Sequence, residues 1–404
     1  MQMQDAPIYW KDPEKSSFQV QVTQCKEENG HYEVYIDRPV VRAEGGGQAG
    51  DRGVLRTDDT VIEFTDTVNR HGKTVLLCSH PVEEGHNLVL EVDMRWRTGM
   101  MRNHSAEHLF VRMMKSLRQN ARLGYIWIDG ERGIVDVHAD SLSLSEILDG
   151  ESMVNDSIEQ AIAMKWSLVP PDELTEEVRA RDGVAAKHEH IRVVSFDELD
   201  SSACSGTHVA NTGDIGFFKI ADFRRLDDGV RVEFLTDGHA KQAVREVYNV
   251  ALAKKHEHSF EMEQLGAIVD KSRGLDDQLN LLLDTVEELL IEAVNWEEVG
   301  DIKFHARYLA GFDIGRLRKL VKQIPFKGES VALFFVPSDK PSLILTTNEL
   351  DMEARDLVAD IVEDLGGRGG GSRDVYTGGF SESGKAEELY RRIVERVKHR
   401  LEGR

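Results

Sequence analysis

Apolar and polar residues alternate in short runs along the first quarter of the chain. Between Phe18 and Asp93 the runs read FQVQVTQC, HYEVYIDRPVV, TVIEFTDTV, KTVLLCSH and NLVLEVD, with glycine, asparagine and aspartate between them. A period of two is typical of strands that bury one face. The pattern predicts an antiparallel barrel or a small sandwich, and we assign residues 1–93 to a small N-terminal β-barrel.

The segment EGGGQAGDRG, from Glu44 to Gly53, breaks this alternation. It contains too many glycines for the interior of a strand, which predicts a loop with several residues at positive φ or close to other backbone. Such a loop is either a tight connector or a surface whose backbone N–H groups contact a ligand.

The pattern changes to mixed α and β from Met94 to about Asp237. Asn103 is a candidate N-cap for a helix in this segment. The helix is indicated by apolar residues at helical spacing, namely Leu109, Phe110, Met113, Met114 and Leu117. Strand-like runs follow, with helical stretches near 143–164 and 173–181. Residues 94–237 are therefore predicted to form one α/β domain.

Residues 238–298 are charged and helical in pattern, and residues 299–404 are again mixed. In the first segment, SRG (Ser272 to Gly274) is predicted to interrupt the helix, which leaves either a helical hairpin linker or a coiled-coil arm that pairs two chains. The second segment reads strand, helix, strand, strand, helix, a glycine loop and a final helix. The expected fold class is thus α+β and multidomain: barrel, α/β domain, helical linker and C-terminal α/β domain.

The charge and hydropathy of the chain exclude some classes of function. The chain has 50 basic and 72 acidic residues and a formal charge of -22, which argues against a protein that coats nucleic acid along its whole surface. A protein that handles only the end of an RNA needs no more than local basic patches. The chain has neither an apolar run of about 18 residues nor a signal-peptide pattern, so a cytoplasmic protein with no membrane partner is expected.

Three cysteines, Cys25, Cys78 and Cys204, are too few for a disulfide framework. Cys25 and Cys78 stand in strand-like runs and are expected to be small buried hydrophobes. Cys204 requires a separate explanation.

Two pairs of metal-ligating side chains have a spacing of four residues. His104 and His108 share one face of the predicted helix, and Cys204 and His208 stand in a segment dense in turn-forming residues. Chance would supply about half of one His–His pair at this spacing and about a tenth of one Cys–His pair. Imidazole and thiolate donors favour Zn²⁺ over Mg²⁺ or Ca²⁺. The residues predict one zinc site, either structural or catalytic.

These motifs resemble those of the editing domains of alanyl-tRNA synthetase and of the freestanding AlaX proteins. NHSAEHL (Asn103 to Leu109) is similar to the family's HxxxH motif, and CSGTHVANTGDIG (Cys204 to Gly216) is similar to CxGTHxxxTGxIG. EGGGQAGDRG is similar to the family's glycine-rich loop, and GGRGGGSRDVYTGGF (Gly366 to Phe380) resembles a stretch of the DHHA-type domain. Because the chain starts at the barrel, the long AlaX form, acting in trans, is the expected match.

The resemblance implies hydrolysis of tRNA(Ala) mischarged with serine or glycine. His208 would be either a fourth zinc ligand or a proton shuttle beside the metal. The metal ligands would be His104, His108, Cys204 and His208. Catalytic roles would fall to His208, Gln48 and Thr207, although Thr207 can equally stabilise its turn.

The substrate-binding residues implied by the resemblance lie in the two glycine-rich segments. Those residues are Gly46, Gly47, Gln48, Arg368 and Arg373. The two arginines can meet RNA phosphate or remain ordinary solvated charges. A homodimer through the linker or the C-terminal domain is the second expected partner.

Two other functions stay open. One is a non-catalytic tRNA-binding protein that uses zinc only for structure. The other is an enzyme of the threonyl-editing type, against which the glycine-rich loop and the DHHA-like tail both argue.

Overall fold

The computed structural model describes residues 6–28, 30–57, 60–175, 178–179, 189–381 and 385–403. The chain divides into two compact units, Met1–Ser259 and Phe260–Arg404. The helical stretch predicted near 173–181 falls partly on residues 176–177 and 180–181, which lie outside the described residues. Of its described residues only Glu173 is helical, at the end of a short 3-10 turn (Pro171–Glu173), and Arg179 forms a β-bridge with Ser202, so the prediction is wrong over the described residues.

Six antiparallel strands close into a barrel in the first unit, in the order β1-β2-β5-β4-β3-β6. Phe18, Val20 and Val22 of the first strand point inwards and are buried, as the alternating pattern requires. Cys78 belongs to the barrel core, and Cys25 packs against it. The strands are β1 (Ser17–Glu28), β2 (His31–Ile36), β3 (Gly53–Arg56), β4 (Val61–Arg70), β5 (Lys73–Cys78) and β6 (Asn87–Val92).

The rest of this unit packs helices on an antiparallel sheet, β12-β13-β8-β7, beside a small sheet, β11-β10-β9. Its helices are α1 (Ile8–Lys11), α2 (Met94–Leu117), α3 (Leu144–Glu159) and α4 (Asp237–His258). Its strands are β7 (Arg122–Ile128), β8 (Gly133–His138), β9 (Met164–Val169), β10 (Ile191–Phe196), β11 (Asp200–Ala203), β12 (Phe218–Leu226) and β13 (Gly229–Thr236).

Helix α2 begins nine residues before the predicted N-cap residue. Asp93 is the N-cap, and its carboxylate accepts hydrogen bonds from the backbone N–H groups of Arg95 and Trp96. Asn103 instead lies inside the helix, where its amide donates to the Asp129 carbonyl and accepts from the Thr236 hydroxyl. The prediction of a helix start at Asn103 is therefore wrong, and Asn103 ties α2 to its neighbours.

The predicted break at Ser272 to Gly274 is also wrong. Helix α5 runs without interruption from Leu265 to Glu292, and the chain turns earlier, at Ser259, whose φ is 54°. One glycine inside a helix costs only about 1 kcal/mol, which a helix of this length tolerates.

The second unit is built on a six-stranded sheet, β14-β15-β16-β17-β19-β18, in which only β15 and β16 pair in parallel. The glycine segment predicted as a loop instead forms the hairpin β18-β19, because an edge strand without side chains can still pair its backbone. The strands are β14 (Glu297–Val299), β15 (Ile302–Tyr308), β16 (Ser330–Val336), β17 (Ser342–Asn348), β18 (Arg368–Gly371) and β19 (Val375–Gly379).

The remaining helices of the second unit are α5 (Leu265–Glu292), α6 (Ile314–Leu320), α7 (Ala354–Asp364) and α8 (Ala386–Glu402). None of the helices in the described residues combines the length and the hydropathy that a membrane span needs. The mixed α+β class with a closed barrel is confirmed, whereas the division into four domains stays a prediction.

Candidate metal centre

Four donor side chains predicted from spacing converge in the first unit. The ligand atoms of His104, His108, Cys204 and His208 all lie within 4.8 Å of one another. The Cys204 Sγ is 3.4 Å from His104 Nε2 and 3.2 Å from His208 Nε2. Helix α2 presents the first pair, and the segment after β11 presents the second. This cluster could hold a metal ion.

Each of the three imidazoles has a polar partner at its other ring nitrogen. Nδ1 of His104 lies 2.7 Å from Gln48 Oε1, and Nδ1 of His208 lies 3.1 Å from the Ser105 hydroxyl. Nδ1 of His108 lies 3.1 Å from an Asp200 carboxylate oxygen. Partners of this kind fix ring orientation and tautomer, which leaves Nε2 for a metal.

Asp200 is held in a buried network of its own. The same oxygen accepts a hydrogen bond from the Ser202 hydroxyl at 2.8 Å and lies 3.4 Å from the Arg179 guanidinium. Although burial lowers it, the pKa of His108 is raised to about 9 by the Asp200 hydrogen bond and by Cys204. Asp200 therefore makes the His108 ring a stronger base, and hence a stronger ligand.

Electrostatics favour the metal-binding forms of Cys204 and His208. Burial raises the pKa of the Cys204 thiol, but the charges of His104 and His208 and hydrogen bonds from the histidine rings hold this pKa well below its usual value. Burial lowers the pKa of His208 well below its usual value. Thiolate and neutral imidazole are the forms that coordinate metals.

The glycine-rich loop makes a tight turn beside this cluster. Gly45 and Gln48 exchange backbone hydrogen bonds of 3.0 and 3.1 Å across Gly46 and Gly47, whose φ values are 65° and 88°. Positive φ at both central residues is the geometry of a type I′ turn and favours glycine. A Cβ on Gly47 would also approach the Ile126 carbonyl to 2.8 Å. Arg42 fixes the turn by donating to the Gly45 carbonyl at 2.7 Å.

The turn places Gln48 behind the cluster. Its side chain is fully buried, accepts from the Thr207 backbone N–H at 3.2 Å and donates to the Thr207 hydroxyl at 2.8 Å. Its oxygen is thus directed at His104 by contacts on both amide atoms. In this structure Gln48 and Thr207 orient the ring of a candidate metal ligand, His104.

The segment between Cys204 and His208 is held from outside by cationic and aromatic side chains. Arg192 donates to the Gly206 carbonyl at 2.7 Å, and the Trp10 indole donates to the Ser205 carbonyl at 2.9 Å. Gly206 itself has no room for a side chain, since a Cβ there would overlap the His104 ring. The segment therefore approaches α2 closely enough to complete the cluster.

A cleft of about 730 Å³ opens beside the donors, and His104, His108 and Cys204 line it. His208, with 1% of its surface exposed, does not appear among the described residues of the cleft wall. The wall is rich in cationic side chains, namely Arg42, Lys115, Arg122, Arg179 and Arg192. A local positive surface of this kind suits an anionic ligand even on an acidic protein.

The predicted substrate-binding residues fall in two places. Gly46 lines the cleft, with Gly47 next to it in the turn. Arg368 and Arg373 are exposed residues of the other unit, on β18 and in the turn that follows it. Within the first unit, the glycine turn lies beside the candidate metal cluster.

Sequence reasoning missed several residues that complete the site. Asp200 and Ser105, which orient two ligands, lie 92 and 103 residues from the rings they contact. Arg179 and Arg192 are far from the donors in sequence, and folding brings them to Asp200 and to the Gly206 carbonyl. A local signal existed for Ser105 alone, because it lies inside the HxxxH motif.

Comparison with known proteins finds similarity to an editing protein and to ligases. The family described as threonyl and alanyl tRNA synthetase second additional domain matches residues 191–244. The alanyl-tRNA editing protein AlaX-L of Pyrococcus horikoshii is 26% identical, over 98% of this chain and 99% of that protein. The alanine–tRNA ligase of Caldicellulosiruptor saccharolyticus is 27% identical over 92% of this chain, which spans 44% of that ligase.

Similarity to a solved structure was also found. The C-Ala domain from Aquifex aeolicus alanyl-tRNA synthetase is 24% identical, with a TM-score of 0.25, and the match covers 27% of this chain and 99% of that domain. The similarity to AlaX-L extends along nearly all of both proteins, beyond the short motifs that first indicated it. It confirms the resemblance to the AlaX alanyl-tRNA editing proteins.

Proposed function

We propose that this chain is a zinc-dependent hydrolase that removes serine, and also glycine, from mischarged tRNA(Ala). The observation that carries the proposal is the cluster of three imidazoles and one thiolate, of which His104, His108 and Cys204 line a cationic cleft. The similarity to AlaX-L and to alanine–tRNA ligases supplies the substrate class. The soluble cytoplasm is the expected compartment, since tRNA is charged there.

Zinc is the metal that these donors favour. Nitrogen and thiolate ligands select zinc over hard cations, and neighbouring donors of a tetrahedral zinc ion lie about 3.3–3.6 Å apart, by the usual bond lengths. Cys204 Sγ lies 3.4 Å from His104 Nε2, within this range, and 3.2 Å from His208 Nε2, just below it. The chemistry that zinc supplies in such a site is polarisation of a carbonyl and activation of water near neutral pH.

The side chains of the chain have two tasks around that metal. Gln48, Ser105 and Asp200 hold the imidazoles so that Nε2 faces inwards. The burial of His208, and its 3.2 Å approach to Cys204 Sγ, favour a fourth ligand over a proton shuttle. Hydrolysis then breaks the ester bond between the amino acid and the terminal ribose, with a hydroxyl added to the acyl carbon and a proton to the ribose oxygen.

The cleft supplies the contacts for substrate. The backbone N–H groups of Gly46 and Gly47 make no hydrogen bond with a described residue, and Gly46 faces the cleft. They are available to an oxygen of the amino acid or of the terminal adenosine. The cationic wall suits the phosphates of the RNA end, and Arg368 and Arg373, in the other unit, would contact other phosphates of the tRNA.

We expect Ser-tRNA(Ala) to be hydrolysed at least about tenfold faster than Ala-tRNA(Ala). A polar partner that binds the serine hydroxyl is left unmatched when alanine enters, which costs about 1–3 kcal/mol, and about 1.4 kcal/mol is a factor of ten. Such a site complements an apolar aminoacylation pocket, which cannot strongly reject an added hydroxyl. Initial rates on the two charged tRNAs measure the ratio, and retained tRNA binding without any deacylation would favour the non-catalytic alternative.

The exposed face of α5 favours a homodimer as the second partner. Apolar residues repeat along it with heptad spacing, as in a coiled-coil seam. Lys271 and Asp276 flank this seam at positions that pair between parallel helices. The exposed members of the seam are Ile268, Leu275, Leu279, Leu282, Val286 and Leu289.

Replacing Leu275 and Leu282 together by aspartate is expected to convert the dimer to a monomer, because the buried seam would then carry unpaired charge. Light scattering at about 20 μM gives the mass in solution; a C2 dimer is the commonest assembly. Leu281→Asp is the matched control, since Leu281 is 69% exposed and lies off the seam. A wild-type chain that is already monomeric would contradict this part of the proposal.

A further inference from the structure

Glu107 is a buried carboxylate at the edge of the metal cluster that none of the steps above uses. It directly precedes His108 on α2, only 1% of its surface is exposed, and it lines the cleft. Its Oε1 lies 3.3 Å from the Arg179 guanidinium. Its Oε2 lies 3.9 Å from Nε2 of His108, a metal-facing nitrogen, and makes no hydrogen bond with a described residue.

Glu107 differs in charge from the arginines and the lysine of this cleft. Among the described residues of the wall it is the acidic one, facing arginines and a lysine on the other sides. Arginine and lysine suit phosphate, whereas a carboxylate suits a cation. A buried charge of this kind is costly unless a partner completes it, and Arg179 contacts only one of its two oxygens.

An aminoacyl ester carries a cation at the place where this carboxylate lies. Its α-ammonium nitrogen is about 2.5 Å from the carbonyl carbon of the ester, from standard bond lengths and angles. A substrate whose carbonyl lay beside the four donors would therefore have its ammonium group close to Nε2 of His108. Glu107 Oε2 is the acceptor found there.

We infer that Glu107 binds the α-ammonium group of the aminoacyl ester and so restricts the enzyme to substrates with a free amine. The inference rests on the proposed hydrolase function. It makes Glu107 a determinant of substrate class: aminoacyl esters are accepted, and N-acylated or peptidyl esters are not. Serine, glycine and alanine share the ammonium group, so this contact sets the class and leaves the choice among them to other residues.

The test compares Ser-tRNA(Ala) with N-acetyl-Ser-tRNA(Ala), for the wild-type chain and for Glu107→Gln. We expect the wild-type chain to prefer the free amine by about tenfold to a hundredfold in kcat/KM, the range of a charge-assisted hydrogen bond. Glu107→Gln should lose most of this preference by slowing on the free amine alone. Its zinc content should be unchanged, because Glu107 is outside the group of four donors.

Arg122→Gln is the matched control, since it also changes one charge of the cleft wall. It should leave the ratio between the two substrates as in the wild-type chain. If Glu107→Gln kept the preference, the cleft would discriminate by the size of the N-acetyl group and not by the charge of the ammonium group. That result would overturn the inference. Equal rates for the wild-type chain on both substrates would overturn it too, whereas no hydrolysis of either would refute the proposed function itself.

Discussion

Cys204→Ala is expected to lose most of its zinc and at least about a hundredfold in the rate of Ser-tRNA(Ala) deacylation. The wild-type chain should carry about one zinc per chain. Cys204 supplies the one thiolate of the group and lies 3.2–3.4 Å from two of the other donor atoms. Loss of an outer partner of a metal ligand typically costs 10–100-fold, so loss of the ligand itself should cost more.

Metal analysis after purification without chelator, together with the initial rate, measures both effects. Cys25→Ala is the control, because Cys25 is also a half-buried free thiol but belongs to the barrel. It should retain zinc and activity. Absence of metal from the wild-type chain would remove the basis of the proposed chemistry.

Arg97→Met is expected to lower the free energy of unfolding by about 3–5 kcal/mol, the usual cost of leaving a buried charge without its partner. Arg97 and Asp51 are both fully buried and form a two-pronged ion pair, with N···O distances of 2.9 and 2.5 Å. Asp51 also accepts the Arg42 backbone N–H at 2.5 Å, so the pair anchors α2 to the end of the glycine-rich loop.

Urea unfolding followed by tryptophan fluorescence gives the change, since four of the five tryptophans lie in the unit Met1–Ser259. Arg56→Met is the control: its ion pair with Glu91 has both side chains more than 40% exposed, and such pairs contribute about 0–1 kcal/mol. The double variant Asp51→Asn with Arg97→Met should recover part of the loss. Equal effects of Arg97→Met and Arg56→Met would show that burial does not decide the contribution of this pair.

Local patterns in the sequence were sufficient to predict the four donor residues. They were not sufficient to predict the residues that hydrogen-bond to the donor rings. His104 and His108 are four residues apart on a helix, and Cys204 and His208 are four apart in a segment rich in turn-forming residues. Spacing alone therefore indicates that the two residues of each pair can bind the same metal ion. Asp200 and Ser105 reach the rings only because separate elements meet in the folded unit. The spacing of apolar and polar residues along the sequence does not predict contacts between such distant residues.

Three errors in the elements have the same origin. The prediction gave Asn103 the role of N-cap because asparagine suits helix starts, but Asp93 caps a longer helix and Asn103 hydrogen-bonds across the fold. Glycine was given too much weight as a breaker: α5 continues through Gly274, and β18 is built largely of glycine. Tertiary packing and edge pairing override these local preferences.

The measurement that tests the account most directly is the deacylation of Ser-, Gly- and Ala-tRNA(Ala) by the purified chain, before and after zinc is removed with a chelator. The account predicts release of serine and glycine, at least about tenfold slower release of alanine, loss of activity with the metal and its return when zinc is restored. Equal rates on correctly and incorrectly charged tRNA, or full activity in the metal-free chain, would contradict it.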